Sequence, residues 1–239
     1  MRQKALKIFV VVIFLAAGTA FVIRFAGPML LRRYVEVGIG DCRKIPILCA
    51  LPAEGVLQLE INKNLTRDYI PYNFPKMTVS APKGFSVVQE MIKKYYYKKK
   101  VEQNTQSIIY VLYEEKGYFP GLFQEAKKLG VNDNAEFLRR VMYALPQDVK
   151  SLGDAFFVIM KSIFIPDVGD QTKAVMARFQ MGDKSGYIIY NLGESENYFN
   201  FDMVDSTGAY FKAYIKDKGA KLSLDDAFSI VSTLAQIKE

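Results

Sequence analysis

An unbroken apolar run, Ile8 to Ile23 (IFVVVIFLAAGTAFVI), constrains this chain more than any other feature. Arg2, Lys4 and Lys7 precede it, and Arg24, Arg32 and Arg33 follow it. A segment this apolar leaves water, either into a bilayer or into the centre of a fold. As a helix, its 16 residues rise roughly 24 Å, short of a hydrocarbon thickness of roughly 30 Å. The deficit closes if Lys7 and Arg24 snorkel to the headgroups, or if the helix continues through Phe25 to Leu31. A cleaved secretory signal is the competing reading, with small residues at Gly18 and Ala20 placing cleavage near Ala20. Phe21, Val22 and Ile23 prolong the run beyond that point and favour a retained single-pass anchor; a buried core helix is the third alternative. The flanking cations are balanced, so they do not set orientation. With only seven residues ahead of the run, the reading is a signal anchor with the globular part outside the cytoplasm.

The same segment accounts for the basic character of the chain. Six of its 32 Lys and Arg residues lie before Tyr34, and all 25 Asp and Glu residues lie after Arg33. What remains carries 26 cationic against 25 acidic side chains, a net +1, which gives no support to nucleic-acid binding. The chain contains no His. That removes the usual general base, the Ser-His and Cys-His pairings and most zinc sites, and no cofactor or metal is expected. Any catalysis would fall to carboxylates, Lys, Tyr or Ser. Cys42 and Cys49 are the only cysteines; in an oxidising compartment they could close a small loop, the alternative being two free thiols.

Residues 1–33 therefore read as anchor or signal, and residues 34–75, punctuated by Gly and Pro, as a stalk in which Gly55 to Ile61 alternates like a strand. A globular domain is expected over 76–239. MTVSAPKGFSVVQE forms two short strands around Pro82-Lys83-Gly84, as a hairpin or a corner, and SIIYVLYEE is a buried strand. The spacing predicts a helix over 120–129 and another capped by Asn134. A third is expected over 149–163, with Val149, Leu152, Phe156, Ile159 and Ile163 on its inner face, although a strand over 156–165 is left open. AVMARFQMG, GYIIYNL, YFNFDMVDS and AYFKAYIKD are strand-length segments joined by short turns, hence an antiparallel meander. A final helix opens at Ser223 and closes one face of the sheet. The fold class is α+β: a mostly antiparallel sheet with a C-terminal four-strand meander, packed by helices and preceded by one transmembrane helix.

The opening MTVSAPKGF, the meander and the terminal helix together resemble the PsbP-like antiparallel α/β sandwich across residues 76–237. The resemblance implies an accessory or assembly role without catalysis, and it carries over no site residue.

Three patterns bear on function. Ser80-Ala81-Pro82-Lys83 fits the S-x-x-K of Ser-Lys hydrolases, and Lys184-Ser185-Gly186 fits a K-S-G, making Ser80, Lys83 and Lys184 the candidate catalytic set. Pro82 and Gly84 oppose the helix that such a Ser requires, and Ser195-Glu196-Asn197 falls on the wrong side of the K-S-G. Lys93, Lys94, Tyr95, Tyr96, Tyr97, Lys98, Lys99 and Lys100 form the densest cationic cluster and suit an anionic lipid surface; an edge strand protected by lysines is the plain alternative. Asp167, Asp170, Asp183, Glu194, Glu196, Asp202 and Asp205 lack the alternation of a calcium loop and read as turn and strand-end residues. The expectation is a membrane-anchored extracytoplasmic binding or accessory domain with a protein or envelope partner. A Ser-Lys or carboxylate hydrolase and a lipid-surface module are the alternatives.

Overall fold

The structure, a computed structural model, describes residues 26–39, 42–43, 45–58, 66–74, 76–91, 94–101 and 105–237. The apolar run Ile8 to Ile23 and Lys93 lie outside these. Among the described residues no helix is long and apolar enough to cross a membrane.

The meander forms as its alternation and turns require. Strands β7 (Val175–Met181), β8 (Lys184–Leu192), β9 (Glu196–Asp205) and β10 (Tyr210–Lys218) are sequential antiparallel neighbours. The sheet continues from β10 through β6 (Thr105–Glu114) and β5 (Lys94–Val101) to β4 (Ser86–Met91). At the other edge β1 (Leu57–Gln58) adds one parallel pairing to β7. A second, three-stranded sheet places β3 (Met77–Ala81) between β2 (Ile70–Asn73) and β11 (Ala235–Gln236). Pro82-Lys83-Gly84 is thus a corner between two sheets, with Gly84 at φ 100°, a left-handed backbone that costs glycine little.

Strand β9 sits at the centre and is buried on both faces. Phe199, Phe201 and Met203 meet the core beneath the small sheet and helix α6 (Leu224–Ser232), which supplies Ala227, Phe228 and Val231. The other face of β9 turns Tyr198 and Val204 toward a helical layer. That layer holds α2 (Tyr118–Leu122), α3 (Gln124–Lys128), α4 (Asn134–Tyr143) and α5 (Leu152–Phe164). Ser223 and Asp226 form a reciprocal capping box on α6, as Ser151 and Asp154 do on α5, each satisfying amide donors that the first turn leaves open.

Four expectations are corrected. The segment expected as one helix over 120–129 breaks into α2 and α3 at Phe123, whose backbone is extended. The cap of α4 is Asp133, which accepts from the amide of Glu136. Asn134 is instead wholly buried: its amide donates to the carbonyls of Glu115 and Gly208, and its oxygen accepts from the amide of Phe119. In α5 the stripe Leu152, Ile159 and Ile163 faces outward, while Ala155, Val158, Lys161 and Phe164 are buried. Finally, the basic cluster is no edge strand, because β5 pairs with β4 on one side and β6 on the other.

The stretch expected as a stalk packs against the domain. Helix α1 (Gly27–Ile39) rests on α5, with Val35 among Val149, Ala155 and Val158. Cys42 and Cys49 are disulfide-bonded, their Cα atoms 5.7 Å apart. Ile47 and Leu48, in a 3-10 turn over Pro46–Cys49, are buried.

Candidate functional site

On the helical face of the sheet, α4 stops short of β7 and β8 and leaves a cleft of about 480 Å³, within the range of ligand pockets. Strand pleating aims its floor. Met176 on β7 and Tyr187 and Ile189 on β8 pack into the helical core, so Arg178, Gln180 and Ser185, two residues apart from them, share that face. The register sets Arg178 opposite Tyr187 and Gln180 opposite Ser185. The wall comes from the start of α4, with Asp133, Glu136 and Arg139, and Val56 borders the edge.

The charges of the wall are already paired. Glu136 accepts from Arg139 Nε at 2.8 Å and Nη2 at 2.9 Å, and from Arg140 Nε at 2.7 Å. These hydrogen bonds, that of Arg139 foremost, hold the Glu136 carboxyl down at about 2. Asp133 is engaged as the helix cap. On the floor the situation is reversed: Arg178 Nε is buried without a hydrogen-bond partner among the described residues. Leaving such a donor unmade costs about 1–3 kcal/mol. Tyr187 lies beside it, its hydroxyl pushed up to about 12, chiefly by burial and then by Tyr143, with Arg178 and Arg139 acting in the opposite direction. It is therefore a neutral donor at ordinary pH, and with Ser185 and Arg178 it offers donors to a single negatively charged or carbonyl-bearing group.

A second polar constellation gathers around β9. Asp202 on β9 is fully buried. It accepts from Asn200 Nδ2 at 2.6 Å, from the Tyr210 hydroxyl at 2.6 Å and from Lys212 Nζ at 3.2 Å. Burial first, and then the carboxylate of Asp202, push Tyr210 far above its ordinary value. Lys212 also contacts the Phe164 carbonyl at 3.4 Å. With both Asp202 oxygens engaged, the group reads as the ionic centre of the helical core.

The residues singled out from sequence are dispersed. Ser80 lies in β3 between Val79 and Ala81, whose side chains enter the core, so its own points to the opposite face of the small sheet. Its amide donates to Thr233 Oγ1 at 2.7 Å. Lys83 is in the exposed corner. Lys184 opens β8 in the large sheet, donating to Asp183 at 2.9 Å and lying 5.9 Å from the Phe211 ring centroid. These three lie on separate elements: β3, the corner that follows it and the start of β8. The acidic residues serve locally: Asp170 and Asp205 accept from Thr172 and Thr207 in turns, and Glu196 joins Tyr198, Lys216 and Lys218. Among the described residues no three Cys, Asp or Glu side chains gather as metal ligands. Lys94 to Lys100 lie in β5 in register with Gln106 to Leu112 of β6.

Arg178 and Tyr187 were missed by motif reading. The available signal is the alternation in ARFQM, where Arg178 and Gln180 interrupt Ala177, Phe179 and Met181: a strand that is apolar on one face and polar on a face its neighbours bury. Ser185 enters the sequence reading only as the middle of Lys184-Ser185-Gly186.

No family model and no curated protein matches the sequence. Among solved structures, a crystal structure from Bacteroides thetaiotaomicron VPI-5482 is similar over 68% of this chain and 46% of that chain, at 9% identity and a TM-score of 0.30. This chain thus spans less than half of the protein it matches, and a likeness of that size bears on neither fold nor activity.

Proposed function

We propose that this chain is a membrane-tethered, extracytoplasmic binding domain without catalysis of its own, and that the cleft between α4 and β7–β8 receives an acidic group of its ligand. The observation that carries the reading is Arg178, whose buried Nε–H has no partner among the described residues, while Asp133 and Glu136, the carboxylates lining the same cleft, are already engaged. A ligand carboxylate would supply the missing acceptor, and the hydroxyls of Ser185 and Tyr187 would orient it. The apolar run Ile8 to Ile23 supports the tether, and the Cys42–Cys49 pair supports an oxidising side of the membrane. The protein or envelope partner is defined here only by chemistry: an exposed segment bearing a carboxylate.

The test is a thermal-shift titration of the full chain in lipid nanodiscs. The probes are short acetylated peptides ending in a free carboxylate and the same peptides amidated. Free carboxylates are expected to raise the wild-type melting temperature and to leave Arg178→Met unmoved. Equal effects of acid and amide, or an undiminished response in Arg178→Met, would overturn the reading of the cleft. Hydrolysis of ester or β-lactam probes, lost on replacing Ser80, would overturn the non-enzymatic reading.

A further inference from the structure

Helix α5 carries apolar residues round nearly its whole circumference, yet one apolar stripe of it is left unpacked. Leu152 is 78% exposed, Ile163 66% and Ile159 41%, and these three lie at helical spacing along one line. Helix α1 shows the same property: Val35 is buried against α5 while Leu30, Tyr34 and Val37, again on one face, stay exposed. Val35 sits among Val149, Ala155 and Val158, so α1 and α5 are packed neighbours, and each carries an exposed apolar stripe beside their shared seam. Isolated exposed aliphatic residues need no explanation, but two adjoining stripes form a surface that water does not favour.

The chain itself says what lies against that surface. The apolar run ends at Ile23 and α1 begins at Gly27. At about 3.5 Å per residue at most, the first residue of α1 stands within roughly 14 Å of the end of that run. The exposed residues also suit a bilayer interface. Tyr34 is an amphipathic ring of the kind found at headgroup level. Arg33 is exposed and makes no ion pair among the described residues, whereas Arg32 is paired with Glu36 at 2.8 Å, so Arg33 is free to meet phosphate.

We infer that the domain lies down on the membrane that holds its tether, with the α1–α5 surface, Leu30, Tyr34, Val37, Leu152, Ile159 and Ile163, seated in the headgroup region of the same bilayer. The inference rests on the tether proposed above and adds to it a fixed posture. Interfacial helices bury one apolar face in this way. The opposite side of the sheet, where α6 packs, then faces away from the lipid.

Single cysteines replacing Leu152, Ile159 or Ile163 in the full chain, with Cys42–Cys49 kept oxidised, would be labelled with an environment-sensitive nitrobenzoxadiazole dye. Asp225→Cys, exposed on α6, is the control. Each would be reconstituted in phosphatidylcholine–phosphatidylglycerol vesicles with and without brominated acyl chains. The expected result is a blue-shifted emission that brominated lipid quenches at the three α5 positions and not at Asp225→Cys. Chains that float with the vesicles and resist alkaline extraction, yet emit at α5 as at Asp225→Cys, would overturn the posture and leave the tether standing. A blue shift without bromine quenching would mean that protein, either a second copy or residues 8–23 folded back, covers the surface, and would also overturn it. Chains that fail to float would remove the tether and the posture together.

Discussion

Lys161 offers the sharpest energetic test, because the fold buries its ammonium with no carboxylate paired to it among the described residues. The side chain is fully buried and donates to the carbonyls of Ala50 at 2.7 Å and Ala144 at 3.1 Å, tying the segment after the disulfide to the helical layer. Burial pulls its pKa from 10.5 down to about 8. Below about pH 8 both folded and unfolded chains hold the proton, and the folded state bears the full cost of a buried charge. As pH rises from about 8 toward 10.5, the folded state releases the proton first, the unfolded state binds more protons, and stability climbs. The gap between the two values corresponds to roughly 3 kcal/mol. Lys161→Met removes the titration and leaves two carbonyls unpaired, a pH-independent loss of about 1–3 kcal/mol each. The stability of wild type minus that of Lys161→Met should therefore grow by roughly 3 kcal/mol between about pH 7 and pH 10.5. Urea unfolding followed by far-UV circular dichroism reads it, the chain having no Trp. A difference that stays flat across that window would refute the claim that burial dominates the ammonium.

Two further outcomes follow from the helical layer. Asn134→Ala strands the Phe119 amide and the carbonyls of Glu115 and Gly208, and should lower the unfolding free energy by roughly 2–5 kcal/mol; Asn134→Asp, which sets a buried carboxylate oxygen against the two carbonyls, should cost at least as much in the same denaturation assay. Glu136, held at about 2 by Arg139 and Arg140, contributes stability that is complete above its unfolded value of 4.5 and is lost as pH falls toward about 2. Glu136→Gln should flatten the acid limb of a melting-temperature profile in that window.

Much of the sheet was readable because its physics is local. β7 to β10 announce themselves through branched and aromatic runs and short Gly, Asp and Ser turns, and Ser223 with Asp226 marks the start of α6. The helical layer was less legible for a particular reason. In LGDAFFVIMKSIF nearly every face is apolar, so periodicity cannot choose which one goes inward. The fold buries the face containing Lys161, since the carbonyls of Ala50 and Ala144 take its ammonium, and leaves Leu152, Ile159 and Ile163 outside. Both carbonyls come from loops distant in sequence, which no spacing along α5 could reveal. The cleft is similar: Arg178 becomes notable only once Glu136 is seen to be taken by Arg139 and Arg140, a fact of packing between α4 and the sheet. Asn134 was placed one position wrong as a cap, because Asp133 and Asn134 both suit that role and only the Phe119 amide distinguishes them.

The account depends above all on the domain working outside the cytoplasm at the end of its tether. Cys42 and Cys49 report this directly. Cells expressing the full chain would be quenched in acid, alkylated with a maleimide mass tag under denaturing conditions, and compared with and without prior reduction. The account predicts that neither cysteine takes the tag until the chain is reduced, after which both do. Two tags added without reduction would show both thiols free in the cell and would contradict the placement from which the proposed function begins.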